Sequence, residues 1–466
     1  MSRAEEAESP AKAMLAEIWG GLGGDPALLA KVEVAGQGDL PSVFAVTDLA
    51  SAAIAAVGLA AAELIAARHG AVPAVTVDRR LASHWFAWTL RPEGWSVPPP
   101  WDPIAGDYPA RDGWIRLHTN APHHREAALA VLGTPPEKEK VAAAVATWSA
   151  EELEAAVVAG GGCAAVMRAA ADWAAHPQGR AVAAEPLFHR AATGEGAPAR
   201  WPVPRERPLA GLKVLDLTRV LAGPVATRFL AGLGADVLRI DPPWWDEPSV
   251  VPEVTLGKRC ARLDLRAPAG RATVERLLAE ADILVHGYRS DALARLGLDA
   301  EARHRIRPGL VDVALDAYGW TGPWAQRRGF DSLVQMSTGI AEAGMRRLGR
   351  DRPTPLPVQA LDHALGYMMA AAVLRGVTAR LATGRGSLTR SSLARVAALL
   401  VNHPADFAGD LAGATVAPPT PEDYVEAVEH TAWGPARRMK PPVAIAGASL
   451  AWDRPAGPLG AAEAGW

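Results

Sequence analysis

The chain has few of the residues that mark several large classes of protein. Its 466 residues include only two cysteines, Cys163 and Cys260, which lie far apart without metal-ligand spacing. We therefore expect no disulfide framework and no zinc site, and a reducing cytoplasm is the natural location. The net charge is only −3, and no basic stripe stands out. A nucleic-acid partner is not expected from this balance.

Long hydrophobic segments are also scarce. The most apolar run, Ala50 to Ala62, consists mostly of alanine and is bracketed by Asp48 and Glu63. It is too short and too weakly hydrophobic to span a bilayer, so we expect no membrane segment. Residues 1–10 are polar and acidic and lack the apolar centre of a signal peptide. They are expected to form a disordered lead-in.

Motifs for nucleotide cofactors and for serine hydrolases are missing as well. The turn at 216–224 has only Gly223 where a dinucleotide fingerprint needs three glycines, which disfavours a nicotinamide or flavin oxidoreductase. Neither a Walker phosphate loop nor a Gly-x-Ser-x-Gly motif occurs. The one adjacent histidine pair, His123 and His124, is better explained by solvated side chains than by a metal. We therefore predict no metal site.

From residue 209 onward, strand and helix patterns alternate. The clearest strand pattern is Lys213 to Leu217, and a helical pattern covers 267–281. Alternation of this kind predicts an α/β fold with a doubly wound, mostly parallel, Rossmann-like sheet. Ligands of such sheets bind beyond the carboxyl ends of the strands. The further strand patterns are 236–240, 260–265, 283–285 and 310–315.

The length of the chain predicts two or three domains rather than one core. A small α+β module is expected at 112–191, with a strand at 112–118 and a helix at 164–175 among its elements. The other predicted divisions are a lead-in at 1–10, a helical segment at 11–97, a proline-rich linker without helix or strand at 98–111, a second linker at 192–208, the large sheet domain at 209–400 and a C-terminal extension at 401–466.

Part of the chain repeats itself. Asp48 opens an alanine-rich helix that ends near Gly70, and Asp362 opens a second apolar helix that ends near Gly384. Asp48 and Asp362 are 314 positions apart, as are the two glycines. This match favours a partial internal duplication, in which 11–97 repeats part of 355–400.

Asp362 is the candidate reactive group. A carboxylate at the start of an apolar helix lies near the positive end of the helix dipole and near unpaired backbone N–H groups, which should keep it ionised. The simpler interpretation is a helix N-cap, since Asp is among the favoured capping residues. The local pattern alone favours the cap.

Ordered motifs in the second half resemble the class III CoA-transferases, the family that contains formyl-CoA transferase and 2-methylacyl-CoA racemase. The longest runs from Pro208 to Pro224 and is followed by Leu233-Gly234-Ala235-Asp236-Val237. The resemblance continues at 257–259, 281–285, 293–297, 318–323 and 328–331, and it closes with Asp362 and 383–386.

The resemblance implies a function for specific residues. Asp362 matches the catalytic aspartate, which attacks an acyl-CoA thioester to give a mixed anhydride; the CoA thiolate then forms an aspartyl-CoA thioester, and an acceptor carboxylic acid collects the CoA. Asp331 falls beside the active centre, and backbone N–H groups at the helix start are expected to stabilise oxyanions. The positions that match CoA contacts are Arg219, Leu221, Lys258, Arg259, Tyr288, Arg295 and Arg328.

Two alternatives to CoA transfer stay open. Racemases of the family carry a histidine base directly before the first aspartate, where this chain has Phe330, so transfer is favoured over racemisation. Pro242 replaces a cation that some members carry, and 286–291 departs from the usual motif. These departures leave room for a non-catalytic CoA-binding paralogue. Nothing in the sequence names the donor or acceptor acid.

The first half resembles the family out of order. Residues 112–192 are similar to the small domain that ordinarily follows the catalytic helix, but here they follow the Asp48 helix and precede the sheet. Asp48 has no sheet domain before it, so we interpret it as the degenerate copy of Asp362. Members of the family form interlocked dimers, which implies a homodimer here.

Overall fold

The computed structural model describes residues 9–194, 201–405 and 416–466. Residues 1–8 of the predicted lead-in, 195–200 of the second predicted linker and 406–415 of the predicted extension lie outside the described residues. The helices are α1 (Pro10–Gly21), α2 (Val46–His69), α3 (Arg79–Trp85), α4 (Pro122–Leu132), α5 (Lys138–Val145), α6 (Ala150–Ala159), α7 (Ala170–Ala175), α8 (Pro177–Ala184), α9 (Ala222–Gly232), α10 (Val251–Val254), α11 (Pro268–Glu280), α12 (Ala300–Ile306), α13 (Asp331–Ser337), α14 (Ile340–Arg347), α15 (Ala360–Thr383) and α16 (Leu393–Asn402).

The strands are β1 (Val32–Ala35), β2 (Val75–Asp78), β3 (Leu90–Pro92), β4 (Gly106–Pro109), β5 (Trp114–Leu117), β6 (Ala164–Val166), β7 (His189–Thr193), β8 (Lys213–Leu217), β9 (Asp236–Asp241), β10 (Lys258–Arg262), β11 (Ile283–His286), β12 (Val311–Asp316), β13 (Gly386–Ser392), β14 (Glu429–Thr431), β15 (Gly434–Arg438) and β16 (Val443–Ile445). Short 3-10 helices cover Pro26–Lys31, Ala294–Leu296 and Pro421–Asp423.

The largest sheet has seven strands in the order β10-β9-β8-β11-β12-β13-β7. The strands from β10 to β13 run parallel, and β7 pairs antiparallel with β13 at one edge. β11 is buried along its whole length, which is typical of a parallel strand covered on both faces. The predicted α/β class with a mostly parallel sheet is therefore present.

Alternate side chains of this sheet enter two different apolar clusters. Val214 in β8 and Val285 in β11 pack with residues of α9 and α15. Their chain neighbours Leu215 and Leu284 point to the other face and pack with residues of α11. Since successive side chains of a strand alternate between faces, the sheet is covered by helices on both sides.

Two helices of equal length lie where the internal repeat is predicted. α2 and α15 are both 24 residues long, and their first residues, Val46 and Ala360, are 314 positions apart. The following helices, α3 and α16, begin at Arg79 and Leu393 and keep the same offset. Both α2 and α15 begin with a backbone bond from the first residue to the carbonyl two positions earlier, 2.8 Å long in each. The repeat therefore extends to local backbone geometry.

α2 is the one helix in the described part of the chain that is long and apolar enough to cross a membrane. Its apolar window is 89% buried inside the protein, where it packs in one cluster with residues of α15. A buried core helix passes the same length and composition test as a membrane span. Its apolar surface here is covered by protein.

The small α+β module has three strands and a layer of helices. β4, β5 and β6 pair antiparallel in that order, and α4, α5 and α6 pack on them in one apolar cluster. Two predictions were wrong here. The proline-rich stretch 98–111 contains β4, an edge strand, where the missing N–H of Pro109 is tolerated. The helix expected at 164–175 begins only at Ala170, because 164–166 is the buried strand β6.

Three strands join the predicted segments to one another. β7 belongs to the large sheet although it lies at the junction of 112–191 and 192–208. β16 of the predicted extension pairs with β2, and β15 pairs with β3 of the opening segment. The predicted domain boundaries stay predictions.

A buried carboxylate also holds distant segments together. Glu253, which is 1% exposed, ion pairs with Arg228 of α9 and with Arg438 of β15, the latter at 3.0 Å. It also accepts hydrogen bonds from the Thr89 hydroxyl (2.6 Å) and the Leu90 amide (3.1 Å). Burial opposes its charge, but the two guanidinium groups lower the pKa of Glu253 overall. One carboxylate thus connects three parts of the chain.

We expect Glu253→Gln to lower the free energy of unfolding by about 3–5 kcal/mol, because it leaves the Arg228 guanidinium buried without a counter-charge, while Arg438 keeps Glu429 as a partner. The measurement is urea denaturation of the full chain followed by circular dichroism. Glu301→Gln is the matched control; it removes an exposed partner of Arg305, and it should change stability by at most about 0.5 kcal/mol. Equal effects of the two variants would contradict the assigned role of Glu253.

Candidate active site

A cavity of about 410 Å³ lies beyond the carboxyl ends of the parallel strands. Its walls come from the segments that follow β8, β9, β11 and β12, from residues 325–330, from Asp362 and Leu393, and from the first turn of α4 in the small module. This is the edge at which parallel α/β sheets bind ligands. Of the predicted site residues, those that line it are Arg219, Leu221, Tyr288, Arg328 and Asp362.

Asp362 lies in the first turn of α15 but is not its cap. The N-cap residue is Gln359, without a side-chain capping bond. The Asp362 amide instead donates to Asp331 Oδ2 at 2.9 Å, so the backbone of one acidic residue holds the side chain of the other. The capping interpretation of Asp362 was therefore wrong, and its carboxylate is left at the cavity wall.

Asp331 is the first residue of α13 and is 1% exposed. The Gln335 side-chain amide donates to its Oδ1, and the Leu361 amide is a further backbone donor. Gln335 in turn accepts a hydrogen bond from the Leu356 amide at 2.7 Å. This network fixes the start of α15 against α13.

The amide groups at the start of α15 are already occupied. Ala360 N–H donates to the Val358 carbonyl, and His363 N–H donates to the Gln359 carbonyl. The amides of the two residues between them point to Asp331. We expected these N–H groups to stabilise oxyanions, and this expectation was wrong, because Asp331 and nearby carbonyls take them up. A developing oxyanion must find other donors.

The two neighbouring carboxyl groups hold protons more tightly than isolated ones. Burial raises the pKa of Asp331 to about 6, although the hydrogen-bond donors around it act to lower this pKa. Burial and the nearby charge of Asp331 raise the pKa of Asp362 well above its ordinary value. No salt bridge neutralises either side chain among the residues described. Removing one negative charge of the pair is expected to make the other carboxyl easier to ionise.

Asp48 has the opposite environment. The Arg79 guanidinium binds both of its oxygens, at 2.8 and 3.2 Å, and also binds Asp39. Arg79 takes the place that Leu393 has in the second copy, since the two positions are 314 apart. Leu393 lines the cavity beside Asp362. One substitution at matching positions therefore neutralises the first carboxylate and leaves the second without a cation.

Arginines make the cavity wall positive. Arg219 donates from Nη2 to the Tyr288 hydroxyl at 2.9 Å and lies over the rings of Trp245 and Tyr288, 5.0 and 5.1 Å from their centroids. Arg328 donates to the Gly161 carbonyl at 3.2 Å. Burial and repulsion from Arg289 and Arg219 lower the pKa of Arg328. In the described part of the chain no carboxylate pairs with these three arginines, so they can receive an anionic ligand.

Three predicted CoA contacts do not line the cavity. Lys258 is fully buried and bonds to Asp216 (3.1 Å) and to the Thr227 hydroxyl (2.6 Å). Arg259 pairs with Asp236 at 2.8 Å, and Arg295 is an exposed partner of Asp291. Each already has a protein partner, which explains a positive charge at that position without a ligand.

Other lining residues were not predicted. They include Trp244, Trp245, Arg289, Asp316 and the pair His123 and His124. Trp244, Trp245 and Arg289 directly follow β9 and β11, so the strand-end rule was a usable signal for them. No sequence signal connects the histidines to the cavity, because they come from another module. Among the described residues no group of three or more His, Cys, Asp or Glu side chains could hold a metal ion.

The acidic pair should make stability depend on pH. A carboxyl group with a raised pKa stabilises the fold fully below its unfolded value, near 4, and loses that contribution as the pH rises through its folded value, about 6 for Asp331. The free energy of unfolding of Asp331→Asn, compared with that of wild type at the same pH, should therefore rise by up to about 3 kcal/mol from pH 4 to pH 7.5. Thermal unfolding at both pH values measures the difference.

Asp48→Asn is the control for this experiment. Its carboxylate is paired with Arg79, so at pH 7.5 the variant should be less stable than wild type rather than more stable. A stability difference between Asp331→Asn and wild type that stays constant over this pH range would contradict the carboxyl pair.

Comparisons with known proteins give the site a family context. The family model described as CoA-transferase family III matches residues 209–433. The acetyl-coenzyme A transferase nodX of Hypoxylon pulicicidum is 34% identical over 200 residues, which cover 40% of this chain and 34% of that protein. The succinate–glutarate CoA-transferase of Agrobacterium fabrum is 31% identical over 219 residues, covering 43% of this chain and 54% of the relative.

The human succinyl-CoA:glutarate CoA-transferase is 32% identical over 195 residues, 39% of this chain and 44% of its own length. The chain thus spans between 34% and 54% of the length of these curated relatives. A crystal structure of a CAIB/BAIF family protein from Brucella suis is 30% identical, covers 42% of this chain and 56% of its own, and has a TM-score of 0.38. The family resemblance inferred from the motifs is confirmed.

Proposed function

Residues 209–433 match the model of CoA-transferase family III. We therefore propose that this protein transfers coenzyme A from an acyl-CoA to a carboxylic acid, with Asp362 as the nucleophile. One observation carries the choice of residue. Asp362 lines the cavity without a cation on its carboxylate, whereas the matching Asp48 is held by Arg79. The guanidinium of Arg79 draws on the lone pairs of both Asp48 oxygens and makes this carboxylate the weaker nucleophile of the two.

The proposed reaction begins with the Asp362 carboxylate next to the thioester of a bound acyl-CoA. An oxygen of Asp362 attacks the thioester carbon, the C–S bond breaks, and the CoA thiolate leaves an acyl–aspartyl anhydride. The thiolate then attacks the aspartyl carbonyl, and the original acid departs as its carboxylate. The acceptor carboxylate attacks the aspartyl-CoA thioester, and the returning thiolate attacks the new anhydride to release acyl-CoA and free Asp362.

The environment of Asp362 supports this role and adds a condition. Its pKa is raised by burial and by the charge of Asp331, which favours the protonated form, so Asp362 must lose its proton before it attacks. Positive charge at the cavity wall, from Arg219, Arg289 and Arg328, favours the ionised form, and Arg219 and Arg289, which follow strand ends, attract the phosphates of CoA. The raised pKa also makes Asp362 a stronger nucleophile once it is ionised.

The fold and assembly are part of the same proposal. Strand order and helices on both faces support the doubly wound, Rossmann-like interpretation of the sheet. A homodimer and a cytoplasmic location stay predictions. Phe330, which is stacked on His118 with 3.8 Å between ring centroids, supports transfer over racemisation, because no base occupies the position before Asp331.

The test uses the acids named by the relatives. We expect wild type to move CoA from succinyl-CoA to glutarate or from acetyl-CoA to another acid, and Asp362→Ala to lower turnover by about 10³-fold or more. Hydroxylamine added during turnover should place a hydroxamate on the Asp362 peptide, which mass spectrometry detects. Asp48→Ala should keep near wild-type turnover and the same hydroxamate.

Three results would contradict the proposal. The first is an absence of adduct and of CoA transfer with every acyl-CoA, which would favour a non-catalytic CoA-binding protein. The second is loss of activity in Asp48→Ala alone. The third is exchange of the acyl α-hydrogen in D₂O without CoA transfer, which would favour the racemase reaction.

A further inference from the structure

The first turn of α4 forms one wall of the cavity, although it belongs to the small module. Both His123 and His124 line the cavity there. The N-cap residue, Ala121, has no capping side chain, Pro122 has no N–H, and the His124 amide already donates to the Ala121 carbonyl at 2.9 Å, so the amide that this turn can offer a ligand is that of His123. The amino end of a helix carries partial positive charge and favours anions. The helix alone is not a site, and the side chain of His124 supplies the second observation.

His124 is buried with its polar atoms unused. It is 3% exposed, and neither ring nitrogen has a hydrogen-bond partner within the described part of the chain. The rings of His123 (4.1 Å between centroids) and Phe330 (5.8 Å) hold the imidazole in place. A buried polar group without a partner costs about 1–3 kcal/mol. A ligand that hydrogen-bonds this ring would remove that cost.

The ring is neutral in its resting state. Burial, followed by the nearby His123 and the charge of Arg328, lowers the pKa of His124 to about 3. A neutral imidazole carries one N–H donor, and Arg328 adds a guanidinium with no carboxylate partner among the described residues. The N–H, the guanidinium and the helix end are all suited to an oxyanion.

We propose that His124, the first turn of α4 and Arg328 bind the carboxylate of the acid that receives CoA. This inference rests on the proposed function, because it assigns the acceptor subsite of the same cavity. The reaction needs such a site: the acceptor is an anion that must approach the acidic pair Asp362 and Asp331, and without local positive charge it would be repelled. His124 is then a specificity-determining residue that contacts the substrate.

A CoA phosphate is the competing oxyanion, and the position of the groups favours the carboxylate. Arg219, Trp245 and Tyr288 follow the ends of β8, β9 and β11, where the predicted CoA contacts at the cavity are concentrated. His124 reaches the cavity from the small module, next to Phe330, which directly precedes Asp331. The acid must meet Asp362, whereas the phosphates of CoA lie at the far end of a long arm from the thiol.

The first experiment measures binding without turnover. Glutarate is titrated into wild type, His124→Phe and His124→Gln by isothermal titration calorimetry. We expect His124→Phe to raise the glutarate Kd about tenfold or more, since a hydrogen bond to a charged ligand is lost. His124→Gln keeps an N–H donor and should recover most of the affinity. His430→Phe, an exposed histidine that does not line the cavity, should bind as wild type does.

The second experiment separates the acid from the phosphate and checks folding. The Kd for free CoA should be the same in wild type and His124→Phe, which also shows that the variant folds. In turnover, the KM for the acceptor acid should rise in His124→Phe, while the KM for acyl-CoA should stay near the wild-type value.

The outcomes distinguish this inference from the function on which it rests. Glutarate binding that depends on His124, in a protein that transfers no CoA, would support the carboxylate site and overturn the proposed function. CoA transfer with unchanged glutarate Kd in His124→Phe would overturn the site. A raised Kd for CoA with unchanged glutarate binding would assign the groups to a phosphate and also overturn it, as would wild type that binds neither glutarate nor other carboxylates.

Discussion

The contact on which the candidate site depends is the hydrogen bond from the Asp362 amide to the Asp331 carboxylate, 2.9 Å long. It fixes the start of α15 against α13 and brings the buried Asp331 next to Asp362, which lines the cavity. The cost of this arrangement appears as raised pKa values, and no basic side chain neutralises the pair among the described residues. The arginines of the cavity wall, Arg219, Arg289 and Arg328, form no salt bridge with the pair and can act on a ligand instead.

The two matching helices place equivalent carboxylates in different surroundings. α2 and α15 have the same length, the same first backbone bond and the same spacing to the next helix. The two copies differ at one matching position, Arg79 in the first and Leu393 in the second, and this residue determines whether the carboxylate has a cationic partner. With arginine, Asp48 becomes part of an ion-paired cluster with Asp39. With leucine at that position, Asp362 lines the cavity at the carboxyl ends of the strands.

Sequence reasoning predicted the features that depend on local order and failed where distant segments meet. The parallel sheet and the repeated helices follow from periodicity and from Asp-to-Gly spacing, which the chain displays directly. Lys258 could not be separated from a ligand contact, because its partner Asp216 lies on another strand. His124 was interpreted as a solvated residue, since nothing near it in sequence shows that Phe330 and Arg328 surround it. In both cases the partners are far apart in sequence and meet only in the folded protein.

The depth at which α2 is buried has a consequence for synthesis of the protein. The surface that α15 covers stays without its partner until the ribosome has added some 314 further residues. At ordinary elongation rates this takes roughly 15–60 s. During that time the apolar surface of this 24-residue helix is covered only by neighbours already made, such as α1. The helix thus has its partner α15 within the same chain, but the partner is synthesised late.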